Sequence, residues 1–214
     1  MKKIVACLFI AALSQSVWAL EAAEQQQLSS IQQSWAHIQY EVAQDQRAAA
    51  FERLSSETQA FTAQHPAQAE AWIWKGIVTS SWAGAEGGLA ALGKAKTAKA
   101  DLEKSLSLDP KALQGSAYTS LAALYDRVPG WPIGFGDSDQ AEQLLKQALQ
   151  LNPDGIDSLY FWGDHLYRQK RYAQAKVALQ KALQAAPRPG RETADSGRRQ
   201  EIAALLVDVN KKLD

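Results

Sequence analysis

Apolar residues return along this chain every three or four positions, with polar residues between them. Leu159, Trp162 and Leu166 form one such row, and Tyr172 and Leu179 supply the next. That interval places side chains on one face of an α-helix, so the pattern predicts amphipathic helices in pairs. Further back, Trp35, Ile38 and Val42 anchor a helix over about residues 22–47. Phe51, Leu54 and Phe61 anchor a second over about 49–64, and a last helix is expected over about 196–212.

Prolines punctuate the pairs. Pro66, Pro110, Pro153 and Pro187 each follow a helical segment, at spacings of 44, 43 and 34 residues. Proline disfavours a helical residue before it, so Asn152-Pro153 stops a helix. Within 154–187, Gly163 supplies a small residue in the first helix, and Ala175 and Ala182 supply two in the second. Two helices approach to about 8–10 Å only where such residues meet. Ser120, Ala141, Leu145 and Ala148 hold the matching places in 111–153, with nine extra residues around Pro129–Gly136. Trp72, Gly76, Ala98, Leu102 and Ser105 hold them in 67–110, with ten extra residues near Gly84–Lys94 in a longer first helix and a Gly-rich turn.

The 34-residue period and these small positions resemble the tetratricopeptide (TPR) repeat. The resemblance implies an all-α fold: a TPR-like right-handed helical-hairpin solenoid of about three repeats with helical caps. The expected units are a leader at 1–19, an N-terminal helical pair at 20–66, repeats at 67–110, 111–153 and 154–187, and a linker with a capping helix at 188–214. The run Val128–Asp137 before the Ala141/Ala148 helix is similar to exported bacterial TPR proteins. The whole chain more weakly resembles the periplasmic TPR component of TRAP-type transporters, with no ligand-binding residue to carry over. Both resemblances imply binding or scaffolding rather than catalysis.

Composition sharpens this picture. Ala accounts for 38 residues and Gln for 22, against 23 Val, Ile and Thr together, which favours helix over strand. Lys2 and Lys3 precede the ten-residue apolar run Ile4–Leu13, and Val17-Trp18-Ala19 offers small residues before a cut after Ala19. This is a secretory signal pattern, and it predicts a periplasmic protein without a membrane span in the mature chain. Cys7 is the single cysteine. Cleavage removes it, and with it disulfides, thiolate catalysis and cysteine metal sites. The whole chain balances 23 Lys and Arg against 23 Asp and Glu, without the basic excess of a nucleic-acid binder.

The first helices of a TPR array line its concave side. Asp157, Tyr160, Asp164, Tyr167 and Arg168 lie opposite Leu159 and Leu166, and are candidate groove residues. Leu121 and Tyr125 hold the equivalent side in the preceding unit, and Ile73 and Ile77 in the one before. The expected groove is apolar with a few hydroxyls, suited to a protein partner or to a small organic ligand. Trp131 and Phe135 in the Pro/Gly insertion either plug the gap between helices or form a lip over the groove. Asp139 and Glu142 read as a capping-box start for the next helix. Arg188, Arg191, Arg198 and Arg199 form either an anion patch or solvated charge paired with Glu192, Asp195 and Glu201. Asp195 or Ser196 is the expected cap of the final helix.

Signals of catalysis are weak. Gly88–Ala95 nearly fits a phosphate loop, but Ala95 stands where a hydroxyl must reach Mg²⁺ and no strand precedes it. His37, His65 and His165 have no paired ligand spacing. No metal, cofactor or catalytic residue is therefore assigned. The expected protein is a non-enzymatic binding module.

Overall fold

The computed structural model describes the backbone of residues 11–214 and the side chains of residues 22–214 apart from Leu89. The leader expected at 1–19 lies outside the residues whose side chains are described. Among the described residues there is no strand. Nine α-helices follow one another: α1 (Ala11–Tyr40), α2 (Gln44–Gln64), α3 (Ala69–Glu86), α4 (Gly88–Leu108), α5 (Ser116–Arg127), α6 (Ser138–Leu151), α7 (Ile156–Arg168), α8 (Tyr172–Leu183) and α9 (Glu192–Asn210). No helix among them is long and apolar enough to cross a membrane.

The hairpins α3–α4 and α7–α8 cross where the small residues predict. A Cβ on Gly76 would meet Leu102 Cγ at 2.7 Å, and one on Gly163 would meet Leu179 Cγ at 2.6 Å. The prolines act as read: Asp109 and Asn152, each before a proline, leave the helical region and end α4 and α6. The Gly-rich turn of the first repeat is Gly87-Gly88, both at positive φ. The near phosphate loop lies inside α4, with no phosphate-cradling loop in it.

Three boundaries differ from the sequence reading. The first helix ends at Tyr40, because Ala43 is extended at ψ 142° and separates α1 from α2. The last helix starts at Glu192, and Asp195 does not cap it. Its carboxylate instead accepts the backbone N–H and Nε–H of Arg188, both at 2.8 Å. The cap of α6 is Asp137, which accepts the N–H groups of Asp139 and Gln140 at 3.0 Å. Glu142 is thereby released for a different use.

The helices form two layers. α1, α3, α5, α7 and α9 each touch the next, and α9 returns to touch α1. The inner layer is thus a closed ring. α2, α4, α6 and α8 lie outside, each packed on the two inner helices that flank it in sequence. One apolar core runs through α1–α6 and includes Ala194 of α9. A second runs through α7–α9 and includes Ile202 and Val209. α9 therefore ties the two cores together.

The α1–α9 seam depends on a missing side chain. A Cβ on Gly197 would lie 2.3 Å from the Tyr40 ring. Gly197→Val is expected to part the seam and to cost about 1–3 kcal/mol. Faster amide exchange along α1, with the α7–α8 hairpin still protected, would check it.

Candidate functional site

Most residues of the predicted concave groove are buried or half-buried. Ile73, Leu121 and Tyr160 are buried, and Ile77 and Tyr125 are half-buried against the first core. Tyr160 lies beneath the Arg198 guanidinium at 4.3 Å. These residues were expected to face an open groove; Tyr160 instead lies under Arg198 of α9, and Tyr125 packs against Phe135 of the insertion. Tyr167 packs edgewise against Tyr172 in the second core. Asp164 is buried and accepts Arg127 at 3.0 Å and Arg168 at 3.2 Å, so these charges bind each other.

The interior of the ring is charged but compensated. Asp157, at the start of α7, takes Arg188 at 2.7 Å and Arg198 at 2.8 Å. Arg198 also reaches Glu201 at 2.6 Å, and Glu201 accepts the Tyr40 hydroxyl at 3.3 Å. Burial alone would raise the Asp157 carboxyl, but Arg198 and Arg188 outweigh it and hold it at about 2. Burial pushes the Tyr40 phenol well above its ordinary value, with Glu201 and Asp157 adding to the effect against Arg198. The arginines read as a patch near the C-terminus thus point largely inward, where carboxylates from α7 and α9 meet them.

A second cluster joins three helices and was not visible in the sequence. His165 of α7 is fully buried. Its Nδ1 lies 3.0 Å from both oxygens of Asp126 at the end of α5, and its Nε2 lies 3.4 Å from Glu142 of α6. Trp162 stacks on the imidazole, and Arg171 reaches Glu142 at 3.1 Å. Burial opposes a charge on His165, yet Asp126 and Glu142 raise its pKa above 6.5. Lys146, against the cost of burial and with Arg171 and His165 assisting, lowers Glu142 to about 2. Among the described residues, no three His, Cys, Asp or Glu side chains are grouped to hold a metal ion.

The Pro/Gly insertion does two things at once. Phe135 packs edge-on against Tyr125 at 5.5 Å and plugs the end of α5. Trp131 is 90% exposed and Ile133 65% exposed at the tip. Gly136 lets the loop close, since a Cβ there would overlap the Val128 carbonyl oxygen.

The open apolar surface lies outside the ring. Leu149 of α6, Leu159, Trp162 and Leu166 of α7, and Ala173, Val177 and Ala178 of α8 line a groove of about 710 Å³. Val177 is 67% exposed on its wall. Arg171, Gln174 and Lys181 stand at its rim. Leu159 and Leu166 fill the α7–α8 hairpin as the sequence predicts, while also forming the floor of this groove. The sequence signal that marked it is Val177, an apolar residue off the Ala175/Leu179/Ala182 stripe of α8.

Two family models, each described as tetratricopeptide repeat, match residues 133–191 and 89–112. The longer match spans α6, α7 and α8, the helices around this groove. No curated protein matches the chain in sequence. Among solved structures, a thermophilic TPR protein from Thermus thermophilus is 18% identical, with 86% of this chain and 99% of that one covered at a TM-score of 0.57. PilF of Pseudomonas aeruginosa is 13% identical over 89% of this chain and 93% of its own, at a TM-score of 0.37. The family models match tetratricopeptide repeats at residues 89–112 and 133–191, and the Thermus protein shares the helical fold.

Proposed function

We propose that the protein is an exported, non-enzymatic scaffold that binds a protein partner through the apolar groove between α6, α7 and α8. One observation supports this reading above others: an open apolar groove of about 710 Å³ lies between α6, α7 and α8. Contiguous apolar surface rimmed by polar residues marks interaction sites, and grooves of this kind take the apolar face of a helix. A small polar rim fixes orientation: Arg171 and Lys181 stand at it, held by Glu142 and Asp154.

Photo-crosslinking in the source cell, with the probe at position 177 and separately at position 160, tests the reading. A defined protein adduct is expected from 177 and none from 160. An adduct from 160 alone would return the site to the inner face. Val177→Asp is expected to weaken capture of that partner by roughly 30-fold, the effect of losing a central contact of about 2 kcal/mol. Export is tested by sequencing the N-terminus of the purified protein. Leu20 as the first residue is expected, and a retained leader would overturn it.

A further inference from the structure

The insertion between α5 and α6 ends in an apolar knob. Trp131 and Ile133 stand exposed at its tip, flanked by Pro129, Gly130 and Pro132. The knob is held in shape from behind. The Gly134 N–H donates to the Gly130 carbonyl at 3.1 Å, the Gly136 N–H to that of Pro129 at 2.9 Å, and the Asp137 N–H to that of Tyr125 at 3.0 Å. A tip fixed in this way loses little further freedom on docking.

Knob and groove carry opposite charge. From Val128 to Leu145 the chain has Asp137, Asp139 and Glu142 but no Lys or Arg. Asp137 and Asp139 are exposed just behind the tip. The cations at the base of the loop are engaged: Lys99, beside the Phe135 ring, pairs with Glu103, and Arg127 pairs with Asp164. Acidic flanks are repelled by an anionic bilayer, which disfavours lipid as the knob's partner. From His165 to Leu183, by contrast, the chain has Arg168, Lys170, Arg171, Lys176 and Lys181 but no Asp or Glu. Asp164, Glu142 and Asp154 meet Arg168, Arg171 and Lys181. Lys170 and Lys176 remain in excess beside the groove.

We propose that the knob of one copy of this chain seats in the α6–α8 groove of a second copy. The inference rests on reading that groove as a docking surface, and it names the occupant. Trp131 and Ile133 enter over Leu149, Trp162 and Val177, while Asp137 and Asp139 face the basic rim of α8. A groove of about 710 Å³ is in the range that takes a drug-sized ligand, so an indole and one aliphatic side chain fit within it. One such contact buries less than the roughly 1,200–2,000 Å² of a stable interface. The association is therefore weak and concentration-dependent, and yields to a partner that fills the groove more completely.

A photo-crosslinker at position 177 of the purified protein, alone and across a dilution series, tests the assignment. An adduct of twice the chain mass is expected, rising with concentration, with Trp131 in the joined peptide. Trp131→Ser changes a side chain that the fold leaves exposed, and is expected to weaken the association about 30-fold. Ile133→Ser should act in the same direction. Asp139→Lys is expected to weaken it about fivefold, and added salt to weaken the parent protein also. Absence of a doubled adduct, a junction away from the knob, or a doubled adduct unchanged in Trp131→Ser would overturn the proposal. If the same probe then joins a different protein in the cell, the groove remains a docking surface and only its self-occupant falls. If it joins nothing in either setting, both readings fall.

Discussion

Replacing His165 with leucine is expected to lower stability by about 3–5 kcal/mol, the cost of breaking a buried ion pair from one side. Leucine fills similar space but leaves Asp126, only 6% exposed, without its partner 3.0 Å away. Glu142 keeps Arg171 and Lys146, so the loss centres on the α5–α7 contact. His165→Gln restores one donor and is expected to lose less. Urea unfolding of the three proteins checks the order, and equal stability would show the cluster to be idle.

The same cluster predicts a pH profile. The folded pKa of His165 lies above 6.5, so its contribution is complete below about pH 6.5 and is lost as pH rises through the folded value. Glu142 is held at about 2 against an ordinary 4.5, so its contribution is complete above pH 4.5 and fades as pH falls toward 2. Both act together between about pH 4.5 and 6.5, where stability should peak. In His165→Leu the decline on the alkaline side of that window is expected to flatten.

Gly163→Leu is expected to cost about 1–3 kcal/mol or more by overpacking the α7–α8 crossing. The test is sharper with alanine at two glycines. Alanine normally stabilises a helix interior by about 0.8–1 kcal/mol relative to glycine. At Gly93 of α4 nothing lies within 4 Å of the added Cβ, so that gain should appear in full. At Gly163 the Cβ meets Leu179 Cγ at 2.6 Å, and Leu179 is fully buried and cannot swing away. The same substitution should therefore stabilise one helix and destabilise the other. A thermal midpoint raised by both changes would contradict the close crossing.

What was legible in the sequence was local. Gly76, Gly163, Ala175 and the prolines specify hairpins because each acts on residues within about 40 positions. Ring closure was not legible, because α9 meets α1 through Ala194 and Gly197 rather than through a row of large apolar residues. Its arginines look like solvated charge in sequence, and only the fold brings Asp157 of α7 to Arg188 and Arg198. His165 failed a test for paired ligand spacing, yet its partners Asp126 and Glu142 lie 39 and 23 residues away. The candidate groove residues lie on α3, α5 and α7, but nothing local revealed that Tyr160 would lie under Arg198 or Tyr125 against Phe135. Trp131 and Phe135 both read as plug or lip in sequence, and the loop makes Phe135 the plug and leaves Trp131 exposed at the tip.

Repeat arrays ordinarily unfold piecemeal, since each unit touches only its neighbours and their energies sum along a line. Here Tyr40 meets Glu201 across 161 residues and Thr193 meets Glu41 across 152. A line whose ends are joined has no terminal unit free to fray alone. Folding must then await closure of nearly the whole chain, a contact far less local than any hairpin and slow to form for that reason. Denaturation should accordingly run as one transition shared by both cores, and inserting another hairpin would force the seam apart rather than lengthen the array.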